Sequence, residues 1–383
     1  MMEILIKVVR NKRQLRSFVN FPIKLYKGNK YWIPQLSQDE MSLFNPKKNP
    51  AFEFCESKQW LAYKNNKIVG RIAGIINHKF IDKWNDRFCR FGWIDFIDDH
   101  EVSKALINAV ENWAREKGMT AVHGPLGFTD LDPEGMLIEG FEELGTIATI
   151  YNYPYYPEHL KELGYEKDAD WLEYEIKIPA KVPERITRIA EIVQKKNNLR
   201  IVHATKISQL KPYMYEIFEV LNNSYKDLYG FIALSEKQIT LYIKQYISFA
   251  NPEYISLILD KNDRVAAFGL TFPSLSRAFQ KAKGSLFPFG FIHILRALKN
   301  KDMIDLYLMG VRPELQGKGA NALILSQLIE SYIRNGIDRA ESNPELETNI
   351  KVQDQWKSFD RRQHKRRRCF IRNIATDYTD QHG

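Results

Sequence analysis

The residues best suited to hold a ligand form one run, Met309-Gly310-Val311-Arg312-Pro313-Glu314-Leu315-Gln316-Gly317-Lys318-Gly319-Ala320-Asn321-Ala322-Leu323, between a strand-like and a helix-like stretch. Glycines at 317 and 319 let a backbone turn its N–H groups inward, and the head of the following helix adds its positive end. Together these make a seat for a diphosphate. Lys318 places a mobile positive charge beside it. Neither the dinucleotide pattern G-x-G-x-x-G nor the Gly-Lys-Ser/Thr nucleotide loop fits this spacing.

The elements that must position this loop occur twice. Trp60–Tyr63 and Ile68–Ile75 read as strands around the turn Lys64-Asn65-Asn66-Lys67, and Phe91–Phe96 reads as a third. Asp98 or Asp99 then caps a helix with Ala105, Leu106, Ala109, Val110, Trp113 and Ala114 on one side. Gly118 stops it before the strand Met119–His123. The second half repeats the order: Tyr254–Leu259, Val265–Phe272, Ile304–Met309, then a helix with Ala322, Leu325, Leu328, Ile329, Tyr332 and Ile333. Gly336 ends that helix before Ile337–Ser342, and Ser274–Lys301 is extra in this copy. The reading is an α/β (α+β) chain of two tandem domains, each a mixed twisted sheet flanked by helices. Their expected limits are 1–179 and 199–375, with a connector at 180–198 opened by Pro179 and Pro183 and a tail at 376–383.

A length of 383 residues suits two domains, and 44% apolar against 27% charged residues excludes a wholly disordered or low-complexity chain. Cys55, Cys89 and Cys369 lie far apart without metal-type spacing, so no metal is expected and a reducing cytoplasm is the simplest setting. No apolar run is long enough to span a bilayer. The formal charge is +9, yet nine basic residues against two acidic ones between Lys351 and Arg372 give a local +7. One segment is basic, and it suits phosphates of a nucleic acid, a cofactor or a lipid headgroup.

Val311-x-Pro313-x-x-Gln316-Gly317-Lys318-Gly319-Ala320 resembles the acetyl-CoA motif of the GCN5-related N-acetyltransferases (GNAT), Gln/Arg-x-x-Gly-x-Gly/Ala. The resemblance implies that Gln316, Gly317, Lys318, Gly319, Ala320 and Asn321 hold the CoA diphosphate, and that Leu308, Met309 and Val311 offer backbone to the thioester arm. Asn321 stands where that family has Gly or Ala. The first half resembles the same family through Asn152-x-Pro154-Tyr155-Tyr156 and Leu163-Gly164-Tyr165, but Ile97-Asp98-Asp99-His100 replaces the loop. Two carboxylates there repel a diphosphate, so this half is expected to shape the acceptor site. Gly124–Phe128, Gly135–Phe141 and Tyr151–Tyr156 are similar to bacterial tandem acyltransferase-like proteins, including ceramide-synthase-type relatives.

The resemblance implies an acyl-CoA-dependent N-acyltransferase in which an amine attacks the thioester directly, since no Ser/His/Asp or Cys/His set is visible. Acetyl-CoA or a longer acyl-CoA is then the co-substrate. A base must take the ammonium proton and an acid must serve the leaving thiolate. Base candidates are Glu341, and Glu345 or Glu347 just beyond. Asn349 matches the family's helix-opening Asn, but Trp356 stands where its usual acid Tyr falls, which shifts the acid role to Tyr225 or Tyr229. Apolar and basic residues mixed in Ser274–Lys301 suit a lid over an acyl chain or peripheral contact with an anionic membrane. Arg366 or Arg368 is expected near the CoA 3′-phosphate or an anionic acceptor. Two other readings remain at this stage: an aminoacyl-tRNA-dependent transferase gripping RNA through Lys365–Arg368, and a non-catalytic nucleic-acid-binding protein of this fold. The glycine loop argues against both, so nucleic acid is not the expected partner.

Overall fold

A computed structural model describes residues 3–247, 250–299 and 301–375; the expected tail, 376–383, lies outside the described residues. Backbone contacts divide the chain into two units. The first is Met1–Leu172 with Ser276–His293 and Lys365–Gly383, and the second is Glu173–Leu275 with Ile294–His364. The division falls inside a strand, not in the Pro179–Pro183 stretch, and the last strand contributes to both units.

Along the chain run β1 (Leu5–Val8), α1 (Lys12–Leu25), α2 (Ser37–Leu43), β2 (Cys55–Lys64), β3 (Lys67–Asn77), α3 (His78–Trp84) and β4 (Phe88–Phe96). There follow α4 (His100–Glu116), β5 (Ala121–Gly124), β6 (Met136–Glu139), α5 (Tyr155–Glu162) and β7 (Glu166–Lys177). The chain continues with α6 (Glu184–Lys196), β8 (Arg200–Ile201), α7 (Met214–Tyr225), α8 (Glu236–Ile247), β9 (Ile255–Leu259) and β10 (Val265–Pro273). The remainder is α9 (Ser276–Ala282), α10 (Gly290–Ala297), β11 (Met303–Val311), α11 (Ala320–Asn335), β12 (Arg339–Ser342), β13 (Glu345–Leu346), α12 (Ile350–Asp354) and β14 (Arg361–Asn373).

In the first unit the strand order is β1-β2-β3-β4-β5-β14, antiparallel except for the parallel pair β4–β5. Asn65 and Asn66 take φ of 53° and 60°, the two left-handed positions that a tight β2–β3 hairpin needs. The crossover between the parallel strands is α4, capped by Asp99 accepting from the Glu101 N–H at 3.1 Å. It buries Val102, Leu106, Val110 and Trp113, each worth about 1.5–3 kcal/mol relative to exposure. Glycines on β3 permit this approach: a Cβ at Gly70 or Gly74 would lie 2.7 Å from Leu106 or 2.8 Å from Trp113.

The second unit orders its strands β8-β9-β10-β11-β12-β7, again antiparallel except for one pair, β11–β12. Its crossover helix is α11, and Gly269 on β10 repeats the device, with a Cβ there falling 2.6 Å from Ile324. The repeat read from the sequence is therefore a repeat of architecture. The Pro179–Pro183 stretch leads into α6, which packs along α11.

The extra segment divides by burial. On α9, Ala278 and Phe279 are buried, and Gln280 donates to the carbonyls of Lys30 and Trp32 at 2.8 and 3.1 Å. Beyond it, Phe287 and Phe289 are 76% and 68% exposed. Among the described residues no helix is long and apolar enough to cross a membrane.

Candidate functional site

The site in the second unit begins where two ladders of β11 end at different places. Pairing with β12 stops at Leu306–Ser342, while pairing with β10 runs on to Val311. Asn343 closes the shorter ladder, donating from its backbone to Leu306 O at 3.3 Å and from Nδ2 to Tyr307 O at 2.6 Å. Past that point β11 has lost one strand neighbour, and side chains bond its carbonyls. The Tyr225 hydroxyl donates to Met309 O at 3.0 Å, Ser224 to Val311 O at 2.7 Å, and Gln316 Nε2 to Val311 O at 3.0 Å. A thioester arm seeking those two carbonyls would have to replace these donors. Leu308, the third expected backbone position, has a buried side chain.

The loop that follows is a single turn, Pro313–Leu315, and then two left-handed glycines, Gly317 at φ 71° and Gly319 at φ 87°. Within it the N–H groups of Gln316, Lys318 and Ala322 bond to carbonyls of Pro313, Leu315 and Gly319. Among the described residues those of Gly317, Gly319, Ala320 and Asn321 have no internal acceptor, and no side chain caps α11. These donors and the helix dipole suit one diphosphate. The two glycines do different work. A Cβ at Gly317 meets nothing within 4 Å, so space stands open above it, whereas a Cβ at Gly319 would lie 2.8 Å from Ile189 and 3.0 Å from Val193 on α6. Lys318 is exposed, while Ala320 is buried against the fold and Asn321 half-buried. Arg312 anchors the start of the loop, its guanidinium donating to Glu216 Oε1 at 2.6 Å.

The expected bases separate sharply. Glu341 is not at an exposed strand end: it is buried on β12, with His364 Nε2 3.3 Å from its Oε1 and Glu173 in the same cluster. Glu347 is half-buried, and its carbonyl accepts from Gln353 Nε2 at 3.0 Å. Asn349 does open α12, though its side chain makes no capping bond.

Glu345, the alternative to Glu347, has the properties a base requires. Burial pushes its carboxyl up to about 7, against the opposing pull of the Trp356 N–H and the Arg361 charge. Trp356 Nε1 donates to Oε1 at 2.7 Å, while Oε2 is buried with no hydrogen-bond partner among the described residues. Trp356, a departure from the expected Tyr, thus holds the carboxylate. Burial above all pushes Tyr225 up to about 12, and the nearby Glu345 charge adds to it. A carboxyl raised toward neutrality thus lies near enough for its charge to act on a phenol that stays protonated and bonds β11 at Met309. What concealed Glu345 was its environment, which Trp356 sets eleven residues further along the chain.

In the first unit the equivalent strand-to-helix corner carries Asp99, which caps α4 and pairs with Lys64 at 2.5 Å. A carboxylate therefore covers the N–H groups that a diphosphate would use. The basic segment also differs from expectation. Arg366 Nη1 and Arg368 Nε lie 3.0 and 2.7 Å from the buried Asp170, and Lys365 and Arg367 are buried, donating to the carbonyls of Leu144 and Ile150. Four of its charges thus bond to protein groups in the first unit, and alternation along β14 divides them between two faces. A cavity of about 360 Å³ in this unit sets Ile138, Phe141 and Tyr155 beside Lys161 and Arg368.

No family model matches the chain. The sequence is 28% identical over 377 residues to Protein YghO of Escherichia coli K12, covering 97% of this chain and 95% of that protein. It is 26% identical over 319 residues to the bacterial ceramide synthase of Caulobacter vibrioides, covering 80% of each. A tandem GNAT protein from the clavulanic acid biosynthesis pathway superposes with a TM-score of 0.53 at 11% identity, covering 97% of this chain and 98% of that one. For a GCN5-related N-acetyltransferase from Sphaerobacter thermophilus the TM-score is 0.51 at 9% identity, with 97% and 96% covered.

Proposed function

We propose that this chain, which has the tandem GNAT fold, is an acyl-CoA-dependent N-acyltransferase acting on a lipid-like or long-chain amine. The observation that carries the reading is the set of unbonded N–H donors of Gly317, Gly319, Ala320 and Asn321 at the head of α11, in the unit that also holds Glu345, a carboxyl that burial pushes up to about 7. The donors hold the diphosphate of the co-substrate, and the end of β11 beyond its β12 pairing receives the arm, which replaces side-chain donors on Met309 and Val311. Glu345 Oε2 takes a proton from the acceptor ammonium, whose nitrogen then attacks the thioester carbonyl carbon. As the C–S bond breaks, the Tyr225 hydroxyl gives its proton to the departing sulfur, and the resulting phenolate takes the second proton from the nitrogen, leaving a neutral amide and the free CoA thiol.

The long-chain assignment draws on the ceramide synthase relative and on the exposed Phe287, Phe289 and Phe291 beside Lys281 and Lys283. Such a mixture suits an acyl chain or a peripheral anionic bilayer surface. The RNA reading has less support, because Lys365–Arg368 bond to protein groups.

The test is release of free CoA thiol from acetyl-CoA and palmitoyl-CoA with a long-chain amino alcohol as acceptor. We expect amine-dependent release with palmitoyl-CoA. Replacing the three phenylalanines by serine should lower that rate more than the acetyl rate. No amine-dependent release from either thioester would overturn the proposal, and equal loss on both would remove its long-chain part.

A further inference from the structure

Cys369 shares its surroundings with two residues far from it in sequence. His123 is on β5, Asp168 on β7 and Cys369 on β14, all in the first unit. Antiparallel register sets Ile371 opposite His123, so Cys369, two residues before Ile371, lies on the same face of the sheet. Asp168 Oδ2 is 3.3 Å from His123 Nδ1 and 4.0 Å from Cys369 Sγ, and the three donor atoms lie within 4.8 Å of one another.

We propose that His123, Asp168 and Cys369 form a binding site for a divalent transition-metal ion of the zinc type, with water as the fourth ligand. Bonds of about 2.0 Å to nitrogen and oxygen and about 2.3 Å to sulfur give tetrahedral edges of roughly 3.3–3.5 Å. The observed 3.3 Å already fits, the 4.0 Å separation has to close by about half an ångström, and the third edge, His123 to Cys369, lies within 4.8 Å and has to close by up to about 1.3 Å. One thiolate and one carboxylate neutralise a divalent ion, and imidazole with thiolate selects zinc-like ions over magnesium or calcium. His123 and Cys369 are buried, and Asp168 is 19% exposed in its side chain, which gives the ion and its water a way in. A thiol nucleophile is a poorer reading, because a fully buried Cys369 cannot reach a substrate. Cysteine spacing gave no metal signal in the sequence because each donor comes from a different strand.

The experiment uses the untagged full-length protein after chelation, titrated with Co²⁺ alone and then displaced by Zn²⁺ against a chromophoric chelator. Expected are one ion per chain, a near-ultraviolet thiolate-to-cobalt band that Cys369→Ser abolishes, and zinc affinity at least tenfold weaker in Asp168→Asn. The partly exposed Asp168 keeps the second variant informative if Cys369→Ser fails to fold. Absence of stoichiometric binding, a band that survives Cys369→Ser, or unchanged zinc affinity in Asp168→Asn would overturn the site.

Discussion

Replacing Trp356 by Phe removes one hydrogen bond from Glu345 and keeps an aromatic ring against Phe359, whose centroid is 6.0 Å away. A hydrogen bond to a charged group is worth about 1.5–3 kcal/mol, and one pKa unit corresponds to about 1.4 kcal/mol. Losing the indole N–H, which favours the ionised form, should therefore raise a carboxyl now near 7 by about one to two units. At pH 7 the ionised fraction falls from about one half to between roughly a tenth and a hundredth, so the rate falls about 5- to 50-fold and recovers at higher pH. The assay is kcat against pH at saturating palmitoyl-CoA with one acceptor for both proteins. The acceptor's own titration is then common to both curves. The expected result is a rising limb displaced upward by about one to two units with an unchanged plateau. A limb at the same pH in both proteins would refute the assignment of Glu345 as the base. The same shift has a stability consequence. A folded-state value above the unfolded one means that the folded chain binds the extra proton, so stability declines by about 3 kcal/mol as pH rises from 4.5 through 7. Glu345→Gln should flatten that slope in a urea titration series.

Three further outcomes can be checked directly. Gly319→Ala meets both a left-handed φ and the side chains of Ile189 and Val193, and should cost about 2–4 kcal/mol in chemical denaturation; Gly317→Ala, with open space, should cost about 1 kcal/mol. Tyr225→Phe should leave acyl-CoA binding within about threefold and lower kcat by about 10- to 100-fold, a loss general acid–base groups supply. A fall in affinity without a fall in kcat would make it a binding residue. Asp170→Asn strands Arg366 and Arg368 in the first unit, and should cost about 3–5 kcal/mol at neutral pH. Burial raises the Asp170 value, but bonds from Arg368 and Arg366 outweigh it and hold the carboxyl below its ordinary range. Its stabilisation is therefore present above the unfolded value and lost as pH falls through the folded one, so the variant's acid denaturation curve should be shallower there.

The tandem architecture was legible because its signals are local. Asn65-Asn66 at the hairpin, Asp99 at one helix head, Gly118 and Gly336 at two helix ends, and the short apolar runs of β10 and β11 each declare themselves within a few residues. The phosphate-seat reading of Gln316–Asn321 rested on the same kind of signal. What stayed hidden depends on partners distant in the chain. Arg368 meets Asp170 across 198 positions, and a charge run alone cannot show that its charges serve an internal carboxylate. Glu341 and Glu345 look alike as letters, yet His364 and Glu173 enclose one while Trp356 holds the other. The unit boundary falls within β7 because contact density follows strand pairing, and the prolines at 179 and 183 only introduce α6. Helix α1 was missed: Pro22 inside it interrupts the expected signal, though Asn11 caps its start by accepting from the Gln14 N–H.

The most direct measurement is a crystal structure of the full chain with a non-hydrolysable alkyl thioether of CoA, compared with calorimetric titration of the same compound into Gly317→Glu. That variant adds a carboxylate where space is open and spares the α6 contact made at Gly319. The diphosphate should lie within hydrogen-bonding distance of the amides of Gly317, Gly319, Ala320 and Asn321, and the variant should bind at least a hundredfold more weakly. A diphosphate seated elsewhere, or full affinity in Gly317→Glu, would contradict the loop's role as the carrier's anchor.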